Sequence, residues 1–590
     1  MTAGFAGLDT RVATPSLSAG RKTPAWSKPL SYAIIVGLVV SLWLPRLKGP
    51  IDLRYDAGVY YALGTSLAEG KGYRIGTEPG APEGIQYPPL LPAIVAVHQI
   101  VLGTTRAEVV GPWLRWTYAL MSVGYGIAVL TLARRFLSPG LALLAAGLCC
   151  AHASTFFYSD LLFTELPFAL TCVAFVFVLG AQKLKWRPVS RESVALVLAA
   201  AAYLLRAAGL AVLIAWVGEA LIRRQWRLAL LRALLAAIPV ATWQMHVARV
   251  QASAEYRQPA YEYQRASYQY YNVTYGENMS LIDPFRPELG RTTLQTVIGR
   301  VGANLTTLPL ALGESVSEQN GFWRAAFRME ARKIDVPPTG RERALDAGAW
   351  LLAAFVLLGA WVLIRRNAWP FVLLTSASVA LVCMTPWPTQ TGRYLAPAIP
   401  FLTIAFVLGF QWVRGIAARV GFRRPLHWGA TAVMLSVVAL QLFTIAFVFR
   451  FQHRGQVRGG LATQGTPPAR LFYYDAGWGD WERSVAWLAA NAQPSDVVST
   501  TSPHLLSLRT GLKAVLPPME IDRAEARRLL DTVPVKWLLV DQLPFLDIMR
   551  VYAAPAVDEA RTEWRIAQQV GQSVIYERVG RTPTTNEVVR

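Results

Sequence analysis

Apolar residues along this chain come in long blocks, separated by short polar or basic runs. A helix needs about 20 mostly apolar residues to cross a bilayer, fewer where neighbouring helices help. Blocks near 31–45, 111–133, 139–158, 161–181, 192–206, 208–222, 228–246, 346–364, 369–386, 395–413 and 428–450 are predicted as about eleven such helices. A further stretch, 88–103, is shorter and is broken by Pro88, Pro89, Pro92, His98 and Gln99. After 451 the pattern changes. Amphipathic helical stretches (Trp481–Asn491, Arg523–Leu530) alternate with short apolar runs (Asp496–Ser499, Val535–Val540, Gln572–Tyr576), the pattern of a small α/β domain.

Charge placement sets the expected topology. With the basic N-terminal tail inside and 88–103 not counted as a span, the clusters Arg134-Arg135, Lys183–Arg191, Arg223–Arg232, Arg365-Arg366 and Arg414–Arg424 all fall on the inner side. Counting 88–103 as a span would put all of them outside, against the positive-inside rule. The expected arrangement is therefore a cytoplasmic tail at 1–30, a transmembrane domain at 31–450 and an extracytoplasmic domain at 451–590. Segment 88–103 becomes a juxtamembrane or re-entrant helix on the outer face. The outer loops are 46–110 and 247–345, the second Tyr-rich at its start, and loops of that length are usually functional or separately folded. Asn-x-Ser/Thr triplets at Asn272, Asn278 and Asn304 are short patterns that arise often by chance.

Composition agrees with the membrane class: 53% of the 590 residues are hydrophobic and 16% charged. The net charge of +21 resides in the short inner clusters, which argues against nucleic-acid binding. Cys149, Cys150, Cys172 and Cys383 lie within apolar blocks and read as small buried hydrophobes, neither disulfides nor metal ligands. The six histidines show no ligand spacing, so nothing in the sequence calls for a metal, although a divalent ion is not excluded. The first apolar block, with no small-residue cleavage site after it, reads as an uncleaved anchor.

Polar chemistry gathers in the first outer loop, Asp52–Pro92. Asp56 follows the first span and precedes Tyr60 at helical spacing, with Tyr87-Pro88-Pro89 further on. It reads either as a general base at the membrane boundary or as a solvated or helix-capping acid. Asp160 and Glu165 sit in YSDLLFTELPF, at the break between two apolar blocks, as functional carboxylates or as a cap with an interhelical bond. Arg115, Arg206 and Arg393 lie near the outer ends of three spans, against the inner bias. They are expected to hold an anionic lipid head group or to snorkel to phospholipid phosphates.

These features in their order resemble the GT-C superfamily: Asp56 with its tyrosines, Gly70-Lys71-Gly72-Tyr73, Tyr87-Pro88-Pro89, Thr164-Glu165-Leu166-Pro167 and Arg393-Tyr394-x-x-Pro397. The chain is most similar to the polyprenyl-phosphate-sugar-dependent branch, glycosyltransferase family 39, with its protein O-mannosyltransferases and lipid A aminoarabinose transferases. The resemblance covers about residues 31–410. It implies transfer of a sugar from a polyprenyl-phosphate donor to a hydroxyl of a lipid, glycan or protein acceptor on the extracytoplasmic face. It assigns catalytic roles to Asp56, Asp160 and Glu165. Donor-phosphate contacts fall to Arg393 and Tyr394, with Arg206 and Arg115, and substrate contacts to Tyr60 and Tyr87. Asp56-Ala57 departs from the family's Asp-Glu, and Gln86-Tyr87 stands where the aminoarabinose transferases have Glu-Lys, which puts their metal site in doubt here. A lipid-linked glycan ligase and a non-enzymatic flippase are the alternatives.

Overall fold

The computed structural model describes residues 27–180, 188–317, 340–386, 390–417, 423–453, 455–456, 470–543 and 546–579. Every predicted apolar block lies on helix, from Ser27–Trp43 through Ala107–Ala133 and Trp226–Ala252 to Ile399–Ala417 and Arg423–Phe447. Among the described residues six helices are long and apolar enough to cross a membrane. A seventh candidate is the pair Pro139–Cys150 and Ala153–Asp160, bent by 46°. Leu90–Leu102, Glu165–Leu179, Ala207–Ile222 and Trp369–Cys383 are shorter apolar helices.

Outward faces and buried faces follow different rules. Leu230, Leu234, Ile238 and Met245 form a ridge of apolar side chains exposed along Trp226–Ala252, which suits contact with lipid. Inside, certain glycines let helices approach closely. A Cβ on Gly359 would lie 1.7 Å from the Ala405 carbonyl oxygen, and one on Gly409 would lie 2.1 Å from that of Phe355. Gly340–Arg365 and Ile399–Ala417 are thus held backbone to backbone, as helices pack where hydrophobic burial gives no net drive.

The 247–345 stretch contains a helix the hydrophobic pattern does not announce, Leu294–Ser317. Its apolar positions alternate with Thr, Gln and Asn, so no continuous block appears. It is fastened instead by Asn304, whose amide donates to the Cys383 carbonyl at 2.8 Å, and by Gly313 against Ala349. That bond gives the Asn304 triplet a structural use.

The C-terminal part is a five-stranded sheet with helices. Its strands are β1 (Val497–Thr500), β2 (Lys513–Val515), β3 (Val535–Val540), β4 (Trp564–Val570) and β5 (Ser573–Arg578), in spatial order β2-β1-β3-β5-β4. β1 runs parallel to β2 and β3, while β5 is antiparallel to both β3 and β4. β2 and β4 were not foreseen: one is three residues long and the other, RIAQQ in its middle, is a polar edge strand. The predicted helices are present as Ala476–Asn491 and Arg523–Leu530.

This unit packs onto the 46–110 loop. The Ala514 amide donates to the Thr77 carbonyl at 3.0 Å, and His504 Nδ1 shares a 2.8 Å bond with the Thr77 hydroxyl. The Tyr-rich segment is wedged between them: Tyr263 OH donates to the Leu516 carbonyl, and Tyr261 OH and Asn272 Nδ2 donate to Glu78 at 3.1 and 2.8 Å. Burial pushes the Glu78 carboxyl above its usual range and the His504 imidazole down to about 3.

Candidate active site

A cavity of about 1040 Å³ opens where the 46–110 loop, the Tyr-rich segment and the helix ends meet. Its wall carries polar and aromatic side chains, among them Asp56, Tyr60, Tyr87, Arg206, Tyr275, Arg393 and Tyr394, and apolar ones, among them Leu205, Leu381, Val382, Phe401 and Val448.

Backbone pairing sets the first loop in place. The Asp52 amide donates to the Asp160 carbonyl at 3.1 Å, and the Leu162 amide returns a bond to the Asp52 carbonyl at 3.0 Å. The chain leading to Asp56 is thereby zipped to the chain leading to Glu165. Arg54 adds a second tie. Its buried guanidinium grips Asp52 at 2.7 Å and donates to the carbonyls of Phe472 and Tyr473, at 2.5 and 3.3 Å, at the entrance to the C-terminal unit. Tyr55 and Tyr473, both on the cavity wall, have left-handed backbones with φ of 60° and 50°. Such conformations cost side-chain-bearing residues roughly 1–3 kcal/mol and persist only where surrounding structure enforces them.

Asp56 stands at the cap position of helix Ala57–Ala68 but makes no capping bond. Its carboxylate turns instead to the Arg393 guanidinium, 2.6 Å away. Arg393 is held from behind by Glu165, which accepts from its Nε at 2.8 Å, and it lies 4.4 Å over the Phe163 ring. Arg206, in an extended break between two helices, reaches the same Glu165 oxygen at 2.9 Å. Exposure separates the roles available to them. Asp56 and Arg393 each show 20% of their side-chain surface and Arg206 16%, whereas Glu165 shows 3%. Glu165 is thus a buried anchor at a helix N-terminus, where a negative charge is favoured, with two arginines fanned out above it.

The aromatic residues complete the wall. Tyr60, one turn beyond Asp56, meets Tyr87 edge to face at 4.8 Å, and Tyr87 in turn lies near Tyr271. Burial, reinforced by the negative charge of Asp56, pushes both hydroxyls upward, so they stay neutral donors. Tyr394 hydrogen-bonds Tyr275 and stacks 5.4 Å from the Arg206 guanidinium. Among the described residues no three His, Cys, Asp or Glu side chains gather as a metal set.

Two residues that the sequence groups with this set lie elsewhere. Asp160 and Arg115 are outside the cavity wall, fully buried in a cluster with Arg46. Arg46 Nε donates to Asp160 at 3.2 Å, its Nη2 to the Phe156 carbonyl and Ser159 hydroxyl, and Arg115 Nη1 to the Arg46 carbonyl. The three arginines singled out by sequence therefore divide: Arg206 and Arg393 converge on Glu165, and Arg115 supports the loop behind them. Sequence reasoning passed over Arg46 and Arg54 because each sits beside a span end, where a basic residue draws no notice.

No family model and no curated protein sequence matches the chain. Solved structures do. ArnT from Cupriavidus metallidurans bound to undecaprenyl phosphate superposes with a TM-score of 0.52 at 13% identity, over 95% of this chain and 99% of that one. ArnT in the apo state also gives 0.52 at 13% identity, over 94% and 98%. The archaeal oligosaccharyltransferase AglB from Archaeoglobus fulgidus, in complex with an inhibitory peptide and a dolichol-phosphate, gives 0.46 at 13%, over 87% and 69%. The ArnT likeness runs nearly end to end in both chains, and the fold is the helical GT-C membrane fold with a C-terminal sheet domain.

Proposed function

We propose that this chain is a membrane glycosyltransferase that moves a sugar from a polyprenyl-phosphate carrier to an acceptor hydroxyl on the extracytoplasmic face. The observation that carries the reading is one cavity whose wall bears two arginines, a carboxylate and many apolar side chains. A lipid phosphate enters with its isoprenoid against Phe401, Leu381 and Val448 and its phosphate at Arg393 and Arg206. Guanidinium suits this task, being permanently charged and able to bind phosphate with two parallel donors. What ArnT binds, undecaprenyl phosphate, is of the same chemical class.

The acceptor oxygen attacks the anomeric carbon while Asp56 takes its proton. The bond from anomeric carbon to phosphate oxygen breaks, and its electron pair stays on the phosphate. One displacement inverts the centre. Charge is conserved within the site: two guanidiniums and two carboxylates sum to zero, and a sugar phosphodiester brings one negative charge. As transfer gives the phosphate its second charge, protonation removes the charge of Asp56. The arginines then face a dianion with Glu165 as the remaining carboxylate, and stabilisation grows where charge develops. Glu165 positions both arginines, Tyr60 and Tyr87 line the sugar subsite, and Tyr394 flanks the phosphate. Asp160, Arg115 and Arg46 stiffen the loop that presents Asp56. A pyrophosphate-linked donor would bring one more negative charge than a monophosphate to a site whose own charges sum to zero, which disfavours it, and the gathering of polar groups at one place disfavours a translocation path.

The test is transfer by purified protein in nanodiscs, with radiolabelled undecaprenyl-phosphate sugars and a membrane extract as acceptor pool. Asp56→Asn is expected to lose about 10²–10⁴ in rate, the range a general base supplies. Arg393→Ala is expected to lose donor binding. Wild-type rates in Asp56→Asn would remove it as the base, and no release of undecaprenyl phosphate from any donor would remove the enzymatic reading.

A further inference from the structure

Asp56 and the donor phosphate have claims on the same guanidinium. Among the described residues Arg393 is the hydrogen-bond partner of the Asp56 carboxylate, at 2.6 Å through Nη2, while Nε is committed to Glu165. Asp56 and Arg393 are the most open members of the charged set, whereas Glu165 is closed off. A phosphate that arrives from the cavity therefore meets an arginine whose inner edge is fixed and whose outer edge is covered by a carboxylate on the same chain. The Asp56 oxygen that accepts from Arg393 is already engaged, and the guanidinium stands where an acceptor hydroxyl would have to approach it.

We propose that Asp56 is an internal occupant of the donor-phosphate site, and that the donor unmasks the base by taking Arg393 from it. This rests on the reading of the cavity as a polyprenyl-phosphate site. The exchange is of like for like, one oxyanion for another, so the guanidinium is never left bare and Glu165 holds it still throughout. Asp56, released, faces the place where the acceptor hydroxyl arrives. The base is available only once a donor is seated, which orders the two substrates and keeps proton abstraction from running ahead of glycosyl transfer. Tyr60, Tyr270 and Tyr271 all lie within electrostatic reach of Asp56 and are neutral hydroxyls suited to receive it.

The inference has a consequence opposite to that of a fixed structural ion pair. If Asp56 competes with the ligand, its removal tightens ligand binding even as it abolishes transfer. The probe is undecaprenyl phosphate itself, titrated into the full chain in nanodiscs and followed by intrinsic tryptophan fluorescence. Asp56→Asn is expected to bind it about 5-fold more tightly than wild type, the factor corresponding to loss of one partly exposed ion-pair competitor. Asp56→Ala, which cannot hydrogen-bond Arg393 at all, is expected to bind at least as tightly as Asp56→Asn. Equal or weaker binding by both variants, with the thermal midpoint kept, would overturn the proposal and make the pair a fixed orienting contact. A wild type that fails to bind the probe would overturn the donor reading as well, a separate and recognisable outcome.

Discussion

Glu165→Gln tests whether the buried carboxylate is an anchor for the arginines or a proton acceptor. The substitution keeps shape and one acceptor oxygen for the Arg393 Nε but removes the charge that both guanidiniums share, at 2.8 and 2.9 Å. Removing one partner from a buried pair costs about 3–5 kcal/mol. Arg393 and Arg206 reach the cavity, with 20% and 16% of their surfaces open, so water offsets part of this and about 2–3 kcal/mol is a fair expectation. Only the share felt as misplaced donors reaches the reaction. An effect of about 1.4–2.7 kcal/mol there is a loss of roughly 10–100-fold in kcat/KM. The assay pairs initial transfer rates with direct binding of undecaprenyl phosphate, with Glu165→Asp alongside. An anchor predicts weaker probe binding in Glu165→Gln, partial rescue in Glu165→Asp, and a rate deficit that stays constant between pH 6 and 8. Unchanged binding together with a loss confined to kcat would refute the anchor and assign Glu165 the base role instead.

Two further outcomes concern the frame around the site. Arg54→Ala strands the Asp52 carboxylate in a fully buried position and frees the Phe472 and Tyr473 carbonyls, so a loss of about 3–5 kcal/mol and a clear fall in thermal midpoint are expected. Arg54→Met with Asp52→Leu removes both charges and should recover much of that loss; no recovery would count against the ion pair as the cause. Asp541, at the end of β3, is pushed up to about 6 by burial from an ordinary 3.8. Its contribution is present in full below pH 3.8 and is lost as pH rises through 6. At pH 7.5 the buried carboxylate therefore costs on the order of 3 kcal/mol. Asp541→Asn is expected to melt above wild type at pH 7.5 and level with it near pH 4, and a gain independent of pH would exclude this account.

What could be read in the sequence divides along a physical line. Helices that meet lipid announce themselves as blocks, because a bilayer demands about 20 apolar residues in succession. Leu294–Ser317 escaped because it borrows its stability from Gly313 against Ala349 and from Asn304 on the Cys383 carbonyl, contacts with no local signature. β3 and the Arg523–Leu530 helix were legible from local periodicity, whereas β4 was not, because an edge strand with polar faces has no alternation to display.

The charged set is the harder case. Asp56, Glu165, Arg206 and Arg393 could be singled out by where they stand relative to the spans, since a charge at a helix end in a membrane is costly enough to need a reason. Position relative to the spans did not tell Arg393 from Arg115; only the resemblance carried by Arg393-Tyr394 set it apart. Both are arginines near the outer end of a span, and each has a carboxylate within reach in the folded chain. The difference is that Asp160, facing Arg115, is zipped to Asp52 and sealed beneath the loop by Arg46, while Glu165, facing Arg393, lies five residues on, where the chain has turned toward the cavity. The partners of Arg393 are 228 and 337 residues away. Pairing over such separations is decided by how the helix ends are brought together, so the geometry that makes one arginine available to a ligand and the other a rivet belongs to the fold alone.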